Sequence, residues 1–143
     1  DRFRKAYDGM TLNELEELVQ EYETSFKRNT TKQDGWPVEK PYCVSKAACT
    51  AFTAILAREN PKYLINACCP DESLCHFDQR ALICIARWVA TDMGSLIGKP
   101  NKTPAQGAII PVRLAVEDIG NVTGQYWENP SVSDTGNGKV SSW

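Results

Sequence analysis

The sequence predicts an all-α fold: a small disulfide-stabilised bundle of three to four helices with a long polar C-terminal arm. Three observations carry this expectation. Apolar residues recur at three- and four-residue spacing behind a Thr-x-x-Glu start at residue 11. A second apolar run, residues 77–93, is hydrophobic nearly all round, as a buried central helix is. All six cysteines, Cys43, Cys49, Cys68, Cys69, Cys75 and Cys84, fall between those points or inside the second run. An even set of cysteines packed around helical sequence reads as a disulfide framework.

The first helix is expected over 11–28. Thr11-Leu12-Asn13-Glu14 matches a capping box, in which the Thr oxygen accepts from one free amide and the Glu side chain from another. Leu12, Leu15, Val19, Tyr22 and Phe26 share one face. Glu14, Glu16, Glu17 and Glu21 crowd its start while Lys27 and Arg28 close it, an order that complements the helix dipole. The acidic cluster reads as a solvated face.

Residues 29–42 form a connector. Asp34-Gly35 is a turn signal, and Pro37 and Pro41 forbid a continuous helix. A second helix is expected from Ser45 to Glu59, with Ala48, Phe52, Ile55 and Leu56 inward and Cys49 on or beside that face. Asn60-Pro61 ends it. Tyr63-Leu64-Ile65 is ambiguous between a helical turn and a strand. The adjacent Cys68 and Cys69 resist pairing with each other, because disulfide geometry disfavours the small ring. They are expected to face different partners. The third helix, Phe77 to Met93, ends at Gly94 as a C-terminal cap.

Beyond residue 95 the pattern weakens. Pro111 could begin a short helix with Val112, Ala115, Val116 and Ile119 inward, stopped by Gly120; a strand over Ile109 to Val116 is the alternative. Residues 129–143 are rich in Ser, Gly, Asp and Asn, a composition that ordinarily stays disordered. The expected organisation is therefore a disulfide-stapled helical domain, 1–128, followed by a polar tail or arm, 129–143.

Composition narrows the function classes. The chain has 143 residues, 42% of them hydrophobic, with a net charge of -2, enough for one domain with a real core. No Lys/Arg block offers an electrostatic basis for binding nucleic acid or an anionic membrane. No apolar run approaches the roughly 20 residues a membrane span needs. A chain opening at Asp1 without Met predicts a processed form whose targeting segment is gone. Three sequons, at Asn29, Asn101 and Asn121, predict surface loops open to glycosylation. Together with the cysteines they predict a secreted protein.

Fifteen pairings of six cysteines are possible. The helix positions favour Cys49 with Cys84, and Cys43 with one of Cys68 and Cys69, leaving the other for Cys75. The cysteine spacings fit no zinc pattern, so no metal is expected, and no cofactor. The single histidine, His76, follows Cys75. The fragment Cys68-Cys69 through Cys75-His76-Phe77-Asp78 resembles secreted phospholipases A2, whose His and Asp are adjacent after a cysteine pair. Here Phe77 separates His76 from Asp78 and no Gly-rich loop precedes them, so it is not a family match. The run from Ala48 to Cys84 resembles helical modules of the GDNF-receptor-alpha and growth-arrest ectodomain group, through Phe52, the Cys68/Cys69 pair, Cys75 and the Arg80-bearing helix. That resemblance implies extracellular recognition.

The function predicted from these residues is a non-catalytic extracellular protein-interaction module: a ligand, a receptor-binding factor or an assembly subunit. Tyr126, Trp127 and Trp143 are the expected partner-binding anchors, since aromatics in polar segments anchor partners. Trp36 and Tyr42 share that character, though capping the helical core suits them better. A secreted carrier of a small apolar ligand is the alternative, and a small secreted hydrolase using His76 and Asp78 the third reading.

Overall fold

The computed structural model describes residues 2–38, 40–69, 89–92, 100–131 and 134–141. The chain divides into two compact units, Asp1–Ile65 and Asn66–Trp143.

The N-terminal unit is helical. A 3-10 turn, Phe3–Ala6, precedes α1, Leu12–Lys27. The expected capping box is present: Thr11 Oγ1 accepts from the Glu14 amide at 3.3 Å, and the Thr11 amide donates to Glu14 Oε2 at 2.7 Å. Leu15 and Tyr22 are buried, but Phe26 is 47% exposed, so the inward face is narrower than the apolar spacing implies. Helix α2 spans Pro41–Glu59. It starts four residues earlier than Ser45 because Pro41 occupies its first turn, where the missing amide costs nothing and the fixed φ favours the helix. Its buried face is made of Cys43, Val44, Ala47, Thr50, Ala51, Ala54, Ile55 and Ala57. The many alanines let this helix approach its neighbours closely, and Ile55, fully buried, contributes about 2 kcal/mol by leaving water.

Two arginines tie this unit together. Arg58 donates to the Ala6 carbonyl at 2.7 Å and to the Met10 carbonyl, pinning the 3-10 turn to the end of α2. Arg2 pairs with Glu21, donates to the Asp34 carbonyl at 2.8 Å and lies 4.4 Å from the Trp36 ring centre. Trp36 in turn meets Phe3 at 6.1 Å and Tyr22 edge-on at 5.2 Å between ring centroids. Trp36 therefore belongs to the core, as its alternative role as a core cap required.

The C-terminal unit contains a sheet. Strand β1, Ala67–Cys68, runs parallel to β2, Tyr126–Glu128, which pairs antiparallel with β3, Lys139–Ser141. Asn66 clasps the parallel pair: its Nδ2 donates to the Val122 carbonyl at 2.8 Å, and its Oδ1 accepts from the Gln125 amide at 3.0 Å. Two short helices precede β2. Helix α3, Pro104–Gly107, carries its own capping box from Thr103 and Gln106, and α4 spans Ile109–Val116. Ile110 and Ile119 are buried, whereas Val112 and Val116 are exposed.

These findings correct the all-α expectation. The parallel and antiparallel pairings make the C-terminal unit mixed α and β. The polar arm is not free, because residues 139–141 pair with 126–128 as a strand. Charged and small residues hid that strand: Lys139 and Val140 lie on an exposed edge, where alternation is weak. The disulfide staple is corrected too. Cys43, Cys49, Cys68 and Cys69 carry no disulfide, and the bridges expected to Cys75 and Cys84 involve residues outside those described. The helix expected over 77–93 lies almost wholly outside them as well.

Close backbone approaches hold the C-terminal unit. A Cβ on Gly107 would lie 2.4 Å from Val89 Cγ2, a short branched side chain that cannot swing away. Gly138 has φ +68, and a Cβ there would lie 2.7 Å from Ile110 Cδ1. Gly138→Ala should therefore destabilise the protein by about 1–3 kcal/mol, through left-handed strain and overpacking on Ile110; denaturant melts compare the two directly. Thr11→Ala should remove the cap of α1 and cost about 1 kcal/mol. The backbone and side-chain hydrogen bonds from Thr11 hold the Glu14 carboxyl below its ordinary range. A depressed carboxylate stabilises the fold above its unfolded value, and that contribution is lost as pH falls through the lowered one. The acid limb of a pH–stability curve should therefore flatten in a Glu14→Gln variant and only in part in Thr11→Ala, which keeps the Thr11 amide that donates to the carboxylate.

Candidate active site

The first turns of α2 present a paired phenol and ammonium. Tyr42 and Lys46 are four residues apart, so they share a helix face. The opposite side of these turns, Cys43, Val44, Ala47 and Ala51, is buried, which turns Tyr42 and Lys46 outward. Tyr42 is 67% exposed, and Lys46 Nζ lies 5.5 Å from the centre of its ring. Ser45 Oγ donates to the Tyr42 carbonyl at 2.8 Å, and Thr50 Oγ1 to the Lys46 carbonyl at 3.1 Å. Each hydroxyl thus adds a second bond to a carbonyl of the helix ladder and is held against its own helix. The phenolic oxygen is a hydrogen-bond donor open to solvent, and the ammonium stands over the face of its ring.

This pair was not visible as a site in the sequence. Tyr42, expected in the connector as a cap on the helical core, is exposed instead, and Lys46 belongs to no sequence motif singled out above. With Pro41 taken as a helix breaker, the two residues fell in different elements. Had Pro41 been placed at the first helical position, the i, i+4 spacing would have brought them together.

The predicted sites fare differently. Tyr126 and Trp127 are buried at 7% and 6% exposure within the C-terminal unit, and Arg113 lies 5.3 Å from the centre of the Trp127 ring. They fill a core rather than reach for a partner. Trp143, His76, Asp78, Cys75 and Cys84 lie outside the described residues. Asn29, Asn101 and Asn121 are exposed, Asn29 with the left-handed φ of 57 that ends α1. Surface turns of this kind arise without glycosylation. Cys49 is exposed, Cys43 buried, and burial followed by the neighbouring Cys69 raises the Cys68 thiol above its ordinary value. Among the described residues no cluster of His, Cys, Asp and Glu could hold a metal ion, and no helix is long and apolar enough to cross a membrane. An open groove of about 590 Å³ lies in the N-terminal unit against Arg2, Lys5, Met10, Glu14 and Glu21. No α2 residue lines it, so it is separate from Tyr42.

No family model matches the chain. Curated proteins do. The chain is 29% identical over 137 residues to short-chain dehydrogenase/reductase 1 of Saponaria officinalis, covering 93% of this chain and 39% of that protein. It is 33% identical over 122 residues to carbonyl reductase (NADPH) 3 of Rattus norvegicus, covering 81% and 36%. It is 31% identical over 133 residues to carbonyl reductase (NADPH) 1 of Mus musculus, covering 87% and 41%. The chain thus spans about two fifths of the length of these relatives.

These relatives are short-chain dehydrogenase/reductases of Rossmann-like α/β type. Their likeness overturns the reading of a secreted, non-catalytic interaction module, together with its carrier and hydrolase alternatives. The extracellular, glycosylated placement falls with it. It rested on a disulfide framework, and the four described cysteines are thiols.

The names of two relatives include NADPH. A dinucleotide's pyrophosphate ordinarily seats on free amides at a Gly-rich turn opening a helix. Here Thr11 and Glu14 close the start of α1, Thr103 and Gln106 that of α3, while α2 opens on Lys40 and Pro41. The sequence contains no G-x-G-x-x-G. The described residues do not fit a pyrophosphate seat.

The thiol assignment is open to direct test. In native, unreduced protein a short pulse of iodoacetamide should label Cys49 rapidly and leave Cys43 unlabelled until the chain unfolds, as exposure dictates. Peptide mass mapping reads both sites. Labelling of Cys49 only after reduction would show that it is disulfide-bonded.

Proposed function

We propose that this protein takes part in the reduction of a carbonyl compound, with α2 supplying the proton-donating face. The observation that carries this reading is the exposed Tyr42 phenol with the Lys46 ammonium beside it, in a chain similar to carbonyl reductases.

Reduction of a carbonyl takes a hydride at carbon, from a donor that the described residues do not hold, and a proton at oxygen, and negative charge builds on that oxygen as the hydride arrives. A group that donates a hydrogen bond to the oxygen, then its proton, lowers the barrier. Tyr42 Oη is such a group and lies open to a bound molecule. Donation leaves the charge on a ring whose face carries the Lys46 ammonium, 5.5 Å from its centre. Ser45 and Thr50 hold the backbone beneath the pair, and the buried Cys43, Val44 and Ala47 keep that side of the helix from turning outward. Water returns the proton to Tyr42 between turnovers.

The test is reductase activity with NADPH and an aldehyde or ketone, followed by NADPH absorbance. Tyr42→Phe should cut the rate on the order of 10²–10⁴-fold, and Lys46→Met by about 10²-fold. Both side chains are exposed, so the circular dichroism of each variant should match the parent. Full activity in Tyr42→Phe, or a parental rate in Lys46→Met, would overturn the proposal.

A further inference from the structure

Two polar atoms in the N-terminal unit are buried without a hydrogen-bond partner among the described residues, and they belong to rings in contact. Tyr22 and Trp36 are each 6% exposed, and their rings meet edge-to-face at 5.2 Å. Among the described residues, neither Tyr22 Oη nor Trp36 Nε1 finds an acceptor or donor. One such atom is an ordinary exception. Two, on different segments and in touching rings, need an account, since leaving each unmade is expensive.

The chemistry of the pair is specific. The indole N–H only donates, while the phenol both donates and accepts. A ligand between them must accept from the indole and exchange a hydrogen bond with the phenol. It must also be small, because Phe3, Phe26 and the Arg2 guanidinium already pack on these rings. Buried water has this pattern, and it persists where two or more polar partners hold it. We infer that Tyr22 Oη and Trp36 Nε1 share one sealed water molecule, held between α1 and the connector that leads into α2.

Other features agree. Cys43, in the first turn of α2, is buried and close enough to Tyr22 to act on its charge. Burial, and then Cys43, push the Tyr22 phenol above its ordinary value. The phenol therefore stays protonated and remains able to donate. The water bridges Trp36 on the connector to Tyr22 on α1, beside the residue that follows Tyr42. It does not depend on the catalytic reading above, since it rests on the packing of the N-terminal unit alone.

Tyr22→Phe keeps the ring contacts and removes only the hydroxyl. A stranded hydroxyl and a water-bonded one give opposite signs on its removal. With the water present, the variant loses a hydrogen bond and strands the indole, so Tm should fall by about 2–6 °C. A Tm unchanged or raised would overturn the inference. The second readout is magnetisation transfer between water and the Trp36 indole proton, assigned by its absence in Trp36→Phe. A cross-peak from long-lived water is expected in the parent protein. Its absence would overturn the inference even if Tm falls.

Discussion

The close packing of α2 on its small-residue face is the constraint from which the N-terminal unit follows. Ala47, Ala51, Ala54 and Ala57 lie on the buried side of that helix with Val44 and Ile55. Alanine has no side-chain entropy to lose and favours the helix more than any other residue. It also permits neighbouring backbone to come near, which longer side chains would forbid. The result is a helix with one firmly buried face. Its rotation about its own axis is thereby set, and rotation decides which residues look outward. Tyr42, Lys46 and Cys49 are outward because the alanines are inward.

Around that helix the aromatic residues and arginines act as fixings. Arg58 reaches back to two carbonyls of the N-terminal turn. Arg2 covers Trp36 while bonding the Asp34 carbonyl, so the connector is held at both its ring and its backbone. The guanidinium suits this work because its planar fork stacks on a ring while still donating in plane. Isolated surface ion pairs contribute little in water. The pairing of Arg2 with Glu21 matters less for its charge than for the carbonyl and ring contacts that come with it.

Much of the N-terminal unit was legible in the sequence. The capping box at Thr11 and Glu14, the extent of α1 and the end of α2 near Asn60 are local features, written in a few consecutive residues. The faces were less legible. Phe26 and Phe52 have the right spacing to be inward, yet both are exposed, because the neighbours they would meet are set by tertiary packing rather than by periodicity. The C-terminal unit was the least legible. Its strands are two or three residues long, too short for alternation to register, and β1 pairs with a strand far along the sequence. Pairing of that kind leaves no local trace. The aromatic Tyr126 and Trp127 looked like docking residues because their flanks are polar. They are buried because β3 and Arg113 close over them.

The candidate site failed to declare itself for a related reason. A nucleophile, a metal cluster or a phosphate loop announces its chemistry through several residues at fixed spacing. A proton donor needs only one acidic group and one charge beside it, and two residues in a helix carry almost no information by themselves. The cysteines, by contrast, were conspicuous and misleading. Six in a short stretch suggested an oxidised framework, yet thiols are also among the most deeply buried small apolar groups. Cys43 shows this use: it occupies the buried face of α2 next to the alanines, while Tyr42, one residue away, points into solvent. The same turn of helix thus buries a thiol and exposes a phenol, and the helix start at Pro41 sets which residue does which.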